Sequence, residues 1–216
     1  MIHTDILEKY AELVLIKGVN VQQDQAVVVS APIEGATFTR ILAEKAYELG
    51  AKNVHINWSD DELVRLKYEH ASDEVIDEFP SWRVQMMEEF AEDGAAFVSI
   101  HATDPDLLKE IDSKRVARAS KAAGVAMKTF REYTMNDKVT WSVISIPTEA
   151  WAQKIFPDKS ADEAVQALWD EIIKMVRIDE EDTIAAWNKH NEVLEKAYKR
   201  LNEKQYASLH LTAPGT

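Results

Sequence analysis

The chain has 216 residues and carries 25 Lys and Arg against 38 Asp and Glu, a formal charge of −13. So acidic a balance argues against a nucleic acid partner, because phosphate binding needs a basic patch that displaces counterions. The absence of Cys excludes disulfides, thiol nucleophiles, iron–sulfur clusters and Cys-based zinc sites, so any metal would rest on His, Asp and Glu. No apolar run approaches the ~18 residues of a membrane span, and Met1 to Asp5 lack the basic and then apolar order of a signal peptide, which reads as a cytoplasmic chain with no membrane partner.

Taken in order, Asp5 to Lys17 carries Ile6, Leu7, Tyr10, Leu13 and Val14 at helical spacing, with Gly18 where a C-cap glycine belongs. Ala26 to Ser30 is a β-branched run that reads as a strand buried on both faces. A helix from about Ala36 to Leu49, stopped by Gly50, precedes a second strand from Asn53 to Trp58. Ser59-Asp60-Asp61-Glu62 has the form of a capping box and predicts a helix running towards His70. Pro80 ends a short helix carrying Val75 and Ile76, and another runs from Ser81 to Gly94. The third strand spans Ala95 to Ile100, a helix runs from about Asp112 to Met127, and the fourth strand spans Thr140 to Ile146 before Pro147. Four strands separated by helices predict an α/β fold, a parallel doubly wound, Rossmann-like sheet of about four strands over residues 1–147.

Beyond Pro147 the pattern is mostly helical. Ser160-Ala161-Asp162-Glu163 is a second capping box, and Val165, Leu168, Trp169, Ile172, Ile173 and Val176 form a stripe that must pack on something. A long polar helix from about Asp182 to Gln205 completes a helical extension over 148–206 that is expected to pack on the sheet domain. Ser208 to Thr212 then reads as a strand, so that 207–216 looks like the start of a further sheet.

The chemistry is sparsely written. The turn Ser30-Ala31-Pro32-Ile33-Glu34-Gly35 stands where a dinucleotide fingerprint or phosphate loop would lie and has neither, which argues against a nucleotide cofactor. The candidates for a ligand pocket are Glu34, His55, Trp58 and His101, all at or near the carboxyl ends of the predicted strands, where open α/β sheets bind ligands. His55 and His101 with a nearby carboxylate such as Asp60 or Asp104 would suit zinc with an open water position. His70 with Glu74, and His190, read as surface side chains, and the six Trp residues read mainly as core. No Gly-x-Ser-x-Gly elbow raises a serine nucleophile.

The wording of whole segments carries more. Leu7 to Leu13, Ser30 to Glu34, Tyr68 to Ala71, Arg131 to Asn136, Trp141 to Val143, Ala150 to Ala152 and Leu201 to Lys204, in this order, resemble the amino-terminal half of the thermophilic aminopeptidase family, the two-metal exopeptidases of the aminopeptidase T and aminopeptidase S type. The resemblance covers nearly the whole chain. It implies a non-catalytic domain that helps enclose an active-site cavity and contributes to a homodimer. It also implies two divalent cations, zinc, cobalt or magnesium, held outside this segment in a missing carboxyl-terminal half, with peptides as substrates. No catalytic or metal-binding residue of the family falls within these 216 positions. Two readings compete with it: a stand-alone α/β module that binds a small ligand or assembles without chemistry, and a self-sufficient hydrolase built on His55 and His101.

Overall fold

A computed structural model of the chain describes residues 2–215. Its centre is β1 (Ala26–Pro32), whose valines leave no polar side chain to solvate and which is buried along almost its whole length. Helix α1 (Thr4–Leu13) precedes it and runs on into a π-helical turn over Val14–Gly18. After β1 a 3-10 turn, Ile33–Gly35, leads into α2 (Ala36–Glu48), which ends at Gly50 with φ of 96°. Then come β2 (Asn53–Ser59), α3 (Asp61–His70), α4 (Asp73–Ile76), α5 (Ser81–Glu92) and β3 (Ala96–His101). The chain continues through α6 (Ser113–Ala126), α7 (Lys128–Met135), β4 (Trp141–Ser145), α8 (Glu149–Ile155), α9 (Ala161–Met175) and α10 (Thr183–Lys204).

The four strands form one parallel sheet, as the alternation of elements predicts, and its order is β2-β1-β3-β4. The chain steps outward from β1 to β2, then crosses back to β3, so the winding reverses between β1 and β3. That reversal opens a crevice at the carboxyl ends of these two strands.

Alternation along the strands divides the core unequally. Val27, Val29, Val98, Ile100 and Ile144 face α1, α2, α8 and α9, where Tyr10, Phe38, Leu42, Leu168, Trp169 and Ile172 complete one large cluster. At about 1.5–3 kcal/mol per fully buried large side chain, this layer supplies most of the apolar stabilisation. The helical extension therefore shares the sheet's own core. On the opposite face Val28 and Phe97 meet Ala91, Ala95 and Val139, with Met87, Phe90, Phe130 and Tyr133 beside them. This second cluster reaches only the amino-terminal halves of the strands, and α3, α6 and α7 bury no residue.

Several local expectations change. Gly18 does not cap α1 with a left-handed turn; it closes the π turn, and a Cβ there would come within 3.1 Å of Ser142 Oγ. The left-handed turns that follow are taken by Asn20 (φ 48°) and Asp24 (φ 61°). Ser59 is still in β2, where its hydroxyl donates to the Ala31 carbonyl, so Asp60 caps α3 by accepting the Leu63 N–H at 3.1 Å. The second capping box, Ser160 with Glu163, forms as expected. Of the six tryptophans, Trp169 is in the core, Trp151 and Trp187 lie against it, and Trp58, Trp82 and Trp141 are exposed. Ser208 to Thr212 forms no strand and pairs with neither open edge of the sheet, β2 or β4; Leu209 and Leu211 are exposed. Among the described residues no helix is long and apolar enough to cross a membrane.

Candidate functional site

The site grows out of the thinly covered sheet face. In register, Ser30 lies opposite Asn57 on one side and Ser99 on the other, and Ser99 lies opposite Val143. These residues share the face of Val28 and Phe97 but stand one step beyond the apolar rows. The result is a polar row, Asn57, Ser30 and Ser99, across three strands at the reversal point. His101 stands one step further along β3, exposed and opposite Ser145.

The walls come from helices on either side. From α5, the Arg83 guanidinium donates to Asn57 Oδ1 at 3.4 Å, and Met87 lines the same pocket as Ser30. From α7, Phe130 and Met135 line a pocket of about 180 Å³ with Ser30, Ser99 and Trp141. An apolar floor with two serine hydroxyls suits one medium-sized apolar group carrying a hydrogen-bonding neighbour. The rim is open: Val143 is 58% exposed and Met135 72%.

The outer wall combines one buried side chain, Ile76 on α4, with a cluster of charge. Arg115 Nε donates to the Tyr68 carbonyl at 2.7 Å, and its other nitrogens meet Asp73 and the Ala71 carbonyl. Arg118 forks onto both Asp77 oxygens and reaches Asp73 Oδ2 at 2.9 Å. These contacts tie α6 to α4. The Arg118 guanidinium holds the carboxyls of Asp73 and Asp77 below the usual carboxylate range. The loop after β3 is pinned separately, its Asp104 N–H donating to Asp61 Oδ2 at 3.0 Å.

The four residues singled out from the sequence do not converge. Glu34 sits exposed in the 3-10 turn after β1, and Trp58 is exposed at the end of β2, opposite Ala31. His55 is half-buried, its ring 5.2 Å from that of Phe90 on α5. Three residues apart on one strand, His55 and Trp58 point to opposite faces. His55 opposes Val28, which opposes Phe97, four residues short of His101. Two strands across and four residues along puts the two histidines on the order of 16 Å apart, far beyond joint ligation of one ion. The hydrolase reading built on this pair therefore fails on geometry. Among the described residues no group of three or more His, Asp or Glu converges as metal ligands would. The residues that do line the crevice, Ser30, Asn57, Ser99 and Arg83, have a sequence signal after all: the three strand residues are polar where an apolar run should continue.

Comparison with known proteins identifies the lineage. Residues 3–216 match the family described as thermophilic metalloprotease (M29). The chain belongs to this family. It is 49% identical over 209 residues to aminopeptidase 2 of Geobacillus stearothermophilus, covering 97% of this chain and 51% of that protein. It is 48% identical to aminopeptidase AmpS of Bacillus subtilis (strain 168) over 97% of this chain and 51% of that protein. The solved structure of wild-type AmpT from Thermus thermophilus superposes with a TM-score of 0.89 at 35% identity, over 98% of this chain and 52% of that one. The chain thus spans about half the length of the relatives it matches. An M29 metallopeptidase implies divalent cations, and the donor groups described here do not fit one: the histidines stand apart and no carboxylate cluster joins them.

Proposed function

We propose that this chain is the amino-terminal, non-catalytic half of a metal-dependent aminopeptidase, and that its open sheet face forms one wall of the cavity in which residues are removed from the amino ends of peptides. The observation that carries this reading is the uncovered carboxyl half of the sheet. A parallel sheet is ordinarily buried on both faces, yet here Ser99, His101 and Val143 are exposed. The match to about half of each aminopeptidase relative supports the same reading. In such a wall Ser30, Ser99 and Asn57 offer hydrogen-bonding groups, Met87, Phe130 and Met135 exclude water, and Arg83 brings a cation to the rim. The two divalent cations, zinc, cobalt or magnesium, are held outside these residues and supply Lewis-acid activation of the scissile carbonyl and of water.

Homodimer formation in the cytoplasm belongs to this reading as well. It is supported by apolar side chains that the chain leaves uncovered along the second half of α10 and beyond: Leu194, Tyr198, Leu201, Leu209 and Leu211. The test is turnover of leucine p-nitroanilide with added cobalt, zinc or magnesium. The pure 216-residue chain should give none, while the intact gene product should give turnover that a chelator removes. Chelator-sensitive turnover by the 216-residue chain would overturn the proposal.

A further inference from the structure

We propose that the cavity between the π turn, the outer side of β4 and helices α8, α9 and α10 is a binding site for a short apolar peptide with free termini. It meets the crevice described above only along the edge strand, at Ser142 and Val143, and does not rest on the catalytic reading. Its volume of about 730 Å³ falls within the ~300–1,000 Å³ of small-molecule sites. Tyr10, Trp151, Phe156, Leu168, Ile172 and Trp187 form its walls.

The polar ends of two wall aromatics are spent inside the protein. The Tyr10 hydroxyl donates to the Ser145 carbonyl at 3.1 Å and accepts the Ser145 N–H at 3.4 Å. The Trp187 indole N–H donates to the Val176 carbonyl at 2.8 Å. Both rings therefore present hydrocarbon to the cavity, which suits an apolar occupant over a cluster of water. The π turn is a second, independent pointer, since isolated π segments concentrate at functional sites. Here it seats Gly18 against Ser142 and carries Lys17 to the cavity.

Charge fixes the class of ligand. Two charged side chains are among those lining the cavity, Lys17 on the π turn and Glu171 on α9, of opposite sign and on different walls. A peptide with apolar side chains matches this pattern: its carboxylate meets Lys17, its ammonium meets Glu171, and its side chains fill the space between. Glu171 already meets Lys174 at 3.0 Å, but an exposed pair of this kind is weak enough for a ligand ammonium to compete with it. A fatty acid would satisfy Lys17 alone, and a cationic amphiphile Glu171 alone. Met175 and Ile155, both exposed, give the mouth an apolar rim.

The experiment is calorimetric titration of the 216-residue chain with Leu-Leu, with its N-acetyl form, with its C-amide and with decanoate. Leu-Leu is expected to bind saturably. Blocking either end should weaken binding about tenfold, as loss of one charge-assisted hydrogen bond at a partly open site does. In Lys17→Met the amide should lose nothing further, and in Glu171→Gln the acetyl form should lose nothing further. Both are surface substitutions, and unchanged circular dichroism and thermal unfolding would confirm intact folding. Absence of saturable binding, equal binding of free and blocked peptides, persistence of both losses in the variants, or decanoate binding as tightly as Leu-Leu would overturn the proposal.

Discussion

The two faces of the sheet are built from different materials. Towards α1, α2, α8 and α9 the strands present Val27, Val29, Val98, Ile100 and Ile144 to a continuous apolar layer. Towards α5 and α7 the cover stops at Val28 and Phe97, and the row beyond is Asn57, Ser30 and Ser99. The first face is made for stability. The second gives up burial where it could have had it, and its outer helix α6, which buries no residue of its own, is tied to α4 by Arg115 and Arg118. On the proposed function, that asymmetry marks the side turned to the substrate cavity.

The largest expected effect comes from the thinner face, at its one fully buried strand position. Val28→Asp puts an unpaired carboxylate into the central strand, at a cost of several kcal/mol against a total domain stability of ~5–15 kcal/mol. Circular dichroism should show loss of cooperative unfolding. Next, substitutions on opposite faces should separate in urea midpoint. Leu42→Ala, fully buried in the large cluster, should cost about 2–5 kcal/mol. Phe130→Ala, half-buried beside the small cluster, should cost clearly less than the ~3–5 kcal/mol usual for a core Phe. Equal losses would remove the asymmetry.

Tyr10→Phe should cost about 1–2 kcal/mol, because it strips the Ser145 N–H and C=O of their shared hydroxyl partner. Burial pushes the Tyr10 phenol up to about 12, above its unfolded value near 10. Its contribution is therefore fully present below about pH 10 and is lost as pH rises from there through about 12. Tyr10→Phe should flatten that alkaline loss of stability. The smallest effect belongs to the clamp on α6. Arg118→Met should raise the carboxyls of Asp73 and Asp77 towards the ordinary range, Asp73 less far because Arg115 still meets it, measurable by NMR titration. Because both are depressed in the folded protein, whatever stability the clamp gives is present above about pH 3.9 and fades as pH falls below it. Added salt should weaken it as well.

Much of the fold was legible because short apolar, β-branched runs between turn residues leave a plain signature, plainest in β1, which is buried on both faces. The runs at Val27 to Val29, Phe97 to Ile100 and Val143 to Ile146 have no competing use, and positive φ at Gly50 explains why α2 ends there. Helices α7 and α8 leave little trace in the sequence. Helix α7 buries nothing, so its sequence has no reason to show a clean stripe, and α8 is only seven residues long. The capping of α3 was misplaced by one residue because Ser59 serves the strand ladder instead. The crevice was harder to see. Histidines attract attention because of their chemistry, yet His55 packs on Phe90 and His101 stands at the rim. Ser30, Asn57 and Ser99 are separated by tens of residues and meet only through strand register.

The central claim is that the open face is one wall of a cavity that polypeptide outside these 216 residues encloses. Hydroxyl-radical footprinting of the 216-residue chain and of the intact gene product tests it directly, read at Trp141, Met135 and His101 on the open face. Trp82, exposed on α5, serves as the reference site. In the intact protein the first three should be oxidised several-fold more slowly than in the short chain. Unchanged oxidation at all three would contradict the account and leave the polar row an ordinary solvated surface.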